Sequence, residues 1–444
     1  MKEAIKEVLQ EFYETGIPET IVDRDVEFYE QAMTSTVVKG MRRTGKTFVT
    51  YARIRKLLES GIPLGRIVHL NFEDDRLRLL SAEDLRLIGE AHAELFPGYA
   101  RQKCWYFLDE LQNIEGWEAY ARRLVDSPRV QLCLTGSSSK LLSEEIATEM
   151  RGRSVSIEVF PLSFGEFLRF NGYLKKMPAG GVFTASDRGI IRHAMARYLD
   201  VGGFPAVQGM PDRPRISSLQ EYVHAVVYRD VLQRHKVASV QSLLYTLDYL
   251  IHNFARRTSA HAISGVLKNL AYPNRREDIS DYLSYFKDAY LVHSVSVHSD
   301  SLAVRRVNPD KYYLVDVGLV NALSTKVDAE KGWKLENLVY LALRRGLNKI
   351  NYYSLEDAKE VDFYVFDHLT RKARLIQVTW EIDRQGTFER EVAALRLARG
   401  RTGVDDCTIV TWDTETVLED GVRVVPVWKW LLQENGMSSP PSFS

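Results

Sequence analysis

Cysteine is scarce in this 444-residue chain: Cys104, Cys133 and Cys407 are far apart and show no metal-ligand spacing. That argues against a disulfide framework and fits buried thiols in a reducing cytoplasm. No apolar run approaches the length of a membrane span, and the first residues form a charged amphipathic segment rather than a signal peptide. Cytoplasmic is therefore the expected location. Net charge is missing as well. The 59 basic and 59 acidic residues cancel, so no global field advertises nucleic acid or membrane, although a local basic surface stays open. What remains is the composition of a soluble globular protein, 45% hydrophobic and 27% charged. Its length calls for two or three domains.

The stretch Thr34 to Thr50, TSTVVKGMRRTGKTFVT, stands out. It reads as a short β-branched strand, a glycine-bounded loop and the start of a helix. Gly40, four residues, then Gly45-Lys46-Thr47 fit the phosphate-loop pattern G-x-x-x-x-G-K-[ST]. Such a loop turns backbone N–H groups toward an anion, and its glycines allow close approach. The expected nucleotide-binding set is Gly40, Met41, Arg42, Arg43, Thr44, Gly45, Lys46, Thr47 and Phe48. Lys46 would reach the β- and γ-phosphates of ATP, and the Thr47 hydroxyl would ligate Mg²⁺. The competing reading is a glycine-rich turn with a chance GKT.

Partner motifs follow in order. After a helix from Phe48 to Leu58, the strand Arg66 to Phe72 and a helix over 82–95, an apolar strand from Cys104 runs straight into Asp109 and Glu110. Asp109 would hold Mg²⁺, and Glu110 would act as general base toward the attacking water. A strand followed by a helix-capping acid pair is the alternative. A helix over 115–125 leads to the strand Val130 to Leu134 and a serine-rich turn. Ser137 or Ser138, at the end of a strand inserted between the other two, would contact the γ-phosphate or the water. Ahead of a strand over 154–160, Arg151 or Arg153 is an arginine-finger candidate acting on a neighbouring subunit's ATP, which implies a homo-oligomer; a solvated basic turn competes. Alternating strands and helices predict an α/β fold with a parallel, helix-covered sheet over residues 1–160.

The runs GMRRTGKT (40–47), LDELQ (108–112), LTGSSSKLLS (134–143), RGR (151–153) and PLSFGEFL (161–168) resemble those of a prokaryotic AAA-type P-loop ATPase family. The likeness continues in YLDVGGFP (198–205), YRDV (228–231) and KYYLVDVGL (311–319). It implies a P-loop NTPase domain followed by a winged helix and a restriction-endonuclease-like domain. It implies ATP, not a substrate.

The residue pattern gives the later parts some independent shape. Residues 161–236 read as a helical lid or linker, where Arg229 or Arg234 are second-sensor candidates or plain surface arginines. Residues 237–330 read as three helices and a β-hairpin, a winged helix. Its third helix, Arg276 to Ala289, would carry DNA contacts from Arg275 and Arg276, with Arg305 and Arg306 on the wing. Glu277, Asp278 and Asp281 on that helix oppose phosphate. Residues 331–435 read as a helix, a three-strand meander, a helix and two strands, a nuclease-like α/β layout. Glu336 and Asp362 fall on two acidic positions of such a site. Gln377 and Thr379 stand where a glutamate and a lysine belong, so any hydrolysis should be very weak and a remnant fold used for binding is expected; the alternative for the two acids is core-edge residues that pair with a nearby Lys or Arg. A tail, 436–444, is expected to be disordered. The expected function is a Mg²⁺-dependent ATP switch engaging DNA through its C-terminal domains. The alternative is a signalling or scaffold switch that contacts proteins.

Overall fold

The computed structural model describes residues 1–137, 152–174, 183–273, 275–325, 331–346, 348–356, 359–380 and 386–434. Ser138, Arg151 and the tail at 436–444 lie outside the described residues. The chain divides into two units: residues 1–160, with which 288–290 group, and the remainder.

The first unit is built on strands that are apolar on both faces. β1 (Ser35–Lys39), β2 (Ile67–Asn71), β3 (Cys104–Asp109) and β4 (Val130–Gly136) are buried along nearly their whole length, and β5 (Ser154–Glu158) is a half-buried edge. Such strands need cover on both sides, which parallel crossovers supply. All pairings are parallel, in the order β2-β3-β4-β1-β5. β4 thus inserts between β3 and β1, as the sequence argued. Alternation sends neighbouring side chains to opposite cores. Val37 and Leu108 pack with the helices Lys2–Thr15 and Leu87–Leu95, whereas Val38 and Phe107 pack with the helix Lys46–Glu59. Two expected helices begin late. The one expected from residue 82 opens as a 3₁₀ turn, Asp84–Arg86, before Leu87–Leu95. The one expected from residue 115 starts at Glu118, because Gly116 takes φ 79°.

In the second unit, the helix Asp212–Ala225 runs into a π-helical turn, Val226–Leu232. Helices Val240–His252, Ala260–Asn269 and Arg276–Asp288 accompany a small antiparallel sheet. Its strands β6 (Arg257–Thr258), β7 (Val292–Val295) and β8 (Asp310–Leu314) lie in the order β6-β8-β7. Between β7 and β8 a short helix, Leu302–Val307, carries Arg305 and Arg306. After the helix Lys331–Arg345 comes a six-stranded sheet. β9 (Asn348–Ser354), β10 (Glu360–Asp367) and β11 (Ala373–Val378) form an antiparallel meander. The helix Thr387–Thr402 follows, and β12 (Cys407–Thr411), β13 (Thr416–Val417) and β14 (Arg423–Pro426) complete the order β13-β14-β12-β11-β10-β9.

Three sequence runs meet in this unit. The backbone N–H of Leu162, in PLSFGEFL, donates to the Gly203 carbonyl at 2.7 Å. Gly203, in YLDVGGFP, donates its own N–H to Asp316 Oδ2 at 2.7 Å. Asp316, in KYYLVDVGL, caps the helix Val317–Leu323 by accepting from the Gly318 N–H at 2.8 Å. A Cβ at position 203 would lie 2.5 Å from the Leu162 carbonyl oxygen, so only glycine fits.

Burial pushes the Asp316 carboxyl up to about 7, even though the Gly203 and Gly318 N–H groups pull it down. Between the ordinary carboxyl range and pH 7 the folded state holds a proton that the unfolded chain releases. Stability from this residue is therefore full at low pH and falls as pH rises through that window. Asp316→Asn is expected to remove this descending component, on the order of 1 kcal/mol per pH unit. Urea unfolding of parent and variant across the window measures it, and parallel pH profiles would refute it.

Candidate nucleotide-binding site

β1 ends where the loop begins, so the strand fixes the loop's root. Gly40 takes φ 147°, and a Cβ there would meet the Val159 carbonyl oxygen at 2.3 Å. Thr44 is buried and donates its hydroxyl to the Met41 carbonyl at 2.9 Å, bracing the turn from inside. Gly45 is the left-handed cap from which the helix Lys46–Glu59 starts. That helix therefore aims its unpaired N–H groups at the loop. Lys46 is buried and folds back, donating to the Gly40 and Met41 carbonyls at 3.2 and 3.3 Å. Arg42 reaches Glu73, just beyond β2, at 2.8 Å. Arg43 is exposed in a left-handed conformation, φ 70°, and the Phe48 ring is exposed beside Tyr51.

The acids come to the same end of the sheet because β3 and β1 run parallel with β4 between them. Thr47 Oγ1 donates to Asp109 Oδ2 at 2.6 Å. Glu110 Oε1 stands 3.6 Å from the Lys46 ammonium, and Ser137 Oγ is 3.4 Å from Glu110 Oε2. Glu110 is left-handed, φ 55°, an uncommon conformation for a non-glycine residue and one that recurs at functional sites. Burial, then the neighbouring Glu110 charge, pushes the Asp109 carboxyl up. Asp109 and Glu110 are adjacent buried carboxylates, and the Lys46 ammonium is held near them by long contacts. The Thr47 hydroxyl and the Asp109 carboxylate are hard oxygen donors that suit Mg²⁺, and the loop N–H groups suit a polyphosphate.

Sequence reasoning missed three residues here. The Thr135 hydroxyl, on β4, donates to Asp109 Oδ1 and accepts from the Glu110 N–H at 3.2 Å. Gln112 donates its amide N–H to Glu110 Oε2, leaving its Oε1 buried and without a hydrogen-bond partner. Arg24 ties the loop to the outgoing chain, donating to the Thr44 carbonyl at 2.9 Å and to the Phe160 carbonyl at 2.7 Å. Gln112 was visible as the last letter of LDELQ and Thr135 as the second of LTGSSSKLLS, though neither had a role assigned; no motif marked Arg24.

Other candidates lie elsewhere. Arg153 precedes β5 and pairs with Asp126 at 2.6 Å. It sits at the end of the parallel sheet opposite the phosphate loop, about 16 Å away for five residues of strand. It therefore does not reach the site of its own chain. Arg234 pairs with Asp230 at 3.3 Å within its own helical turn. Arg275 and Arg276 are exposed at the start of the helix Arg276–Asp288, whose buried face is Ile279, Tyr282, Leu283 and Phe286.

Residues 33–168 match the AAA domain family, and residues 192–331 match a domain of unknown function. An uncharacterized protein of Methanocaldococcus jannaschii is 32% identical over 440 residues, covering 96% of this chain and 95% of that protein. One of Haemophilus influenzae is 29% identical over 402 residues, 89% of this chain and 94% of the relative. Among solved structures, a Walker-type ATPase of Pyrococcus abyssi is similar at 17% identity and a TM-score of 0.40, over 73% of this chain and 95% of that one.

Removing the Thr135 hydroxyl leaves the buried Glu110 N–H unpaired. Thr135→Val should cost about 1–3 kcal/mol of stability. Denaturant unfolding measures the loss, and a Thr135→Val protein as stable as the parent would contradict this account of the strand end.

Proposed function

Because the chain belongs to a prokaryotic family of AAA-type P-loop ATPases, we propose that it binds ATP with Mg²⁺ at residues 40–48, hydrolyses it slowly and uses the nucleotide state to change how its C-terminal domains engage DNA. The observation that carries this reading is the meeting of Lys46, Thr47, Asp109, Glu110 and Ser137 at one end of the parallel sheet. Loop N–H groups and Lys46 bind the phosphates, and Lys46 exchanges its two loop carbonyls for phosphate oxygens. Thr47 and Asp109 would hold Mg²⁺, whose charge would offset that of the phosphates. Glu110 takes the proton of the attacking water. Gln112 orients the Glu110 carboxylate, and its unpaired Oε1 offers that water an acceptor. Ser137 lies within reach of the same carboxylate. An arginine-finger role for Arg153 falls to a neighbouring copy's nucleotide, since its own site is at the far end of β5.

The output lies behind residue 160. We take 161–236 as a helical lid, 237–330 as a winged helix and 331–435 as a nuclease-like domain without cleavage activity. Three helices with a β6-β8-β7 antiparallel sheet support the winged-helix reading, and exposed Arg275 and Arg276 support DNA contact there. Glu277, Asp278 and Asp281 on the same helix favour the second reading, a switch that contacts a protein partner instead.

Lys46→Ala should weaken ATP binding at least tenfold. Glu110→Gln should keep ATP binding and lower turnover roughly a hundredfold or more. Turnover at the parental rate in Glu110→Gln would remove Glu110 as the base. For the output, DNA mobility shift at two salt concentrations, with and without ATP, should show binding that weakens steeply with salt. No shift at low salt leaves the protein-partner reading.

A further inference from the structure

The two acids of the nuclease-like domain are not at a vacant edge. Glu336, on the helix Lys331–Arg345, and Asp362, on β10, converge with Glu360 on one ammonium that comes from outside the domain's own sheet. Lys311, on β8, is 1% exposed. Its Nζ lies 2.9 Å from Glu336 Oε1, 2.7 Å from Glu360 Oε1 and 3.0 Å from Asp362 Oδ1. An ammonium has three N–H donors. All three are used by carboxylates, leaving none for a water or a phosphate.

The surrounding bonds are equally complete. Tyr313, two residues on and on the same face of β8, donates its hydroxyl to Glu336 Oε1 at 2.7 Å. Asp362 Oδ2 accepts from the Val378 N–H at 2.9 Å. Glu360 also accepts from Arg257. Gln377, at the position expected of a metal-binding glutamate, accepts from the Asp362 N–H at 3.1 Å and donates to Glu391 at 2.7 Å. Charge-assisted N–H···O bonds fall at about 2.7–2.9 Å, whereas carboxylates on Mg²⁺ close to about 2.0–2.1 Å. The acids here are spaced for an ammonium. Although burial works against the charge, the Asp362, Glu336 and Glu360 carboxylates outweigh it and hold Lys311 well above its ordinary value.

We propose that Lys311 is the resident cation of this carboxylate site, occupying the place a divalent metal would take and so making the C-terminal domain metal-independent and hydrolytically silent. The inference goes beyond the ATP-switch reading and does not rest on it. It also accounts for the loss of lysine at Thr379: the positive charge has moved to another strand, where it closes the site instead of serving it.

The test uses the full chain without nucleotide and Mn²⁺ as the probe, followed by EPR titration and thermal unfolding. The parent should hold no Mn²⁺ that Asp362→Asn removes, and should not nick supercoiled DNA with Mg²⁺ or Mn²⁺. Lys311→Ala should gain about one Mn²⁺ per chain, with a melting midpoint that rises with Mn²⁺. Adding Asp362→Asn to Lys311→Ala should abolish both. Any ion held at Asp109 is recognised because it survives Asp362→Asn. Should Lys311→Ala be unfolded in metal-free buffer, Mn²⁺ should restore cooperative unfolding and an equal charge of Na⁺ should not. Parental Mn²⁺ uptake lost in Asp362→Asn, metal-dependent nicking, or a Lys311→Ala protein that neither binds nor is rescued by Mn²⁺ overturns the proposal.

Discussion

Between Lys46 and Glu110 an ammonium and a carboxylate stand 3.6 Å apart, both buried, with Asp109 next in the chain. That is too far for a good charge-assisted hydrogen bond, and the two carbonyls that Lys46 reaches instead are at 3.2 and 3.3 Å. Buried charge is costly unless paired and hydrogen-bonded. Lys46 is held by two long carbonyl contacts and a carboxylate at 3.6 Å, each looser than a good charge-assisted bond. The phosphate loop supplies the rest: N–H groups with no helical partner and a left-handed Gly45 that starts the helix at the right point. Lys311 is the opposite case. Its three donors meet three carboxylates at 2.7–3.0 Å, and their remaining contacts are to backbone, Tyr313 and Arg257. Distances to the two ammonium groups separate the open nucleotide site from the closed carboxylate one.

The sequence made the open site legible because its chemistry is local. Gly40, Gly45, Lys46 and Thr47 lie within eight residues, and Asp109-Glu110 closes an apolar run. The parallel sheet, and β4 inserted between β3 and β1, followed from alternating strand and helix patterns. What stayed out of view was whatever depended on the register of a strand or on a distant partner. Arg153 read as a finger for a neighbouring subunit's ATP, and the strand direction is consistent with that. A parallel strand that begins at residue 154 begins at the wrong end of the sheet to reach its own loop. Thr135 is one residue of an apolar strand; only the register beside β3 gives its hydroxyl two jobs. Lys311 lies 25 residues before Glu336 and 51 before Asp362, and no periodicity connects them. Expecting some Lys or Arg to pair with those acids was the most that composition allowed. The helix starts at 87 and 118 were misjudged because short 3₁₀ turns and Gly116 precede them, and helical spacing does not register either.

The same accounting bears on how a nucleotide could matter beyond its own site. Arg24 spans the Thr44 and Phe160 carbonyls with one planar guanidinium, so the loop cannot shift its Thr44 peptide without loading Phe160. The next residues along the chain are Pro161 and Leu162, and Leu162 is fastened to Gly203 at a contact too close for any side chain. Gly203 is held in turn by Asp316, which starts a helix immediately after β8, the strand that carries Lys311. In the C-terminal domain, Glu336, Glu360 and Asp362 already hold the Lys311 ammonium from β8, so a metal has no place to enter there. What the second unit does present to solvent includes Arg275, Arg276, Glu277 and Asp281, opposite charges side by side at the start of the helix Arg276–Asp288.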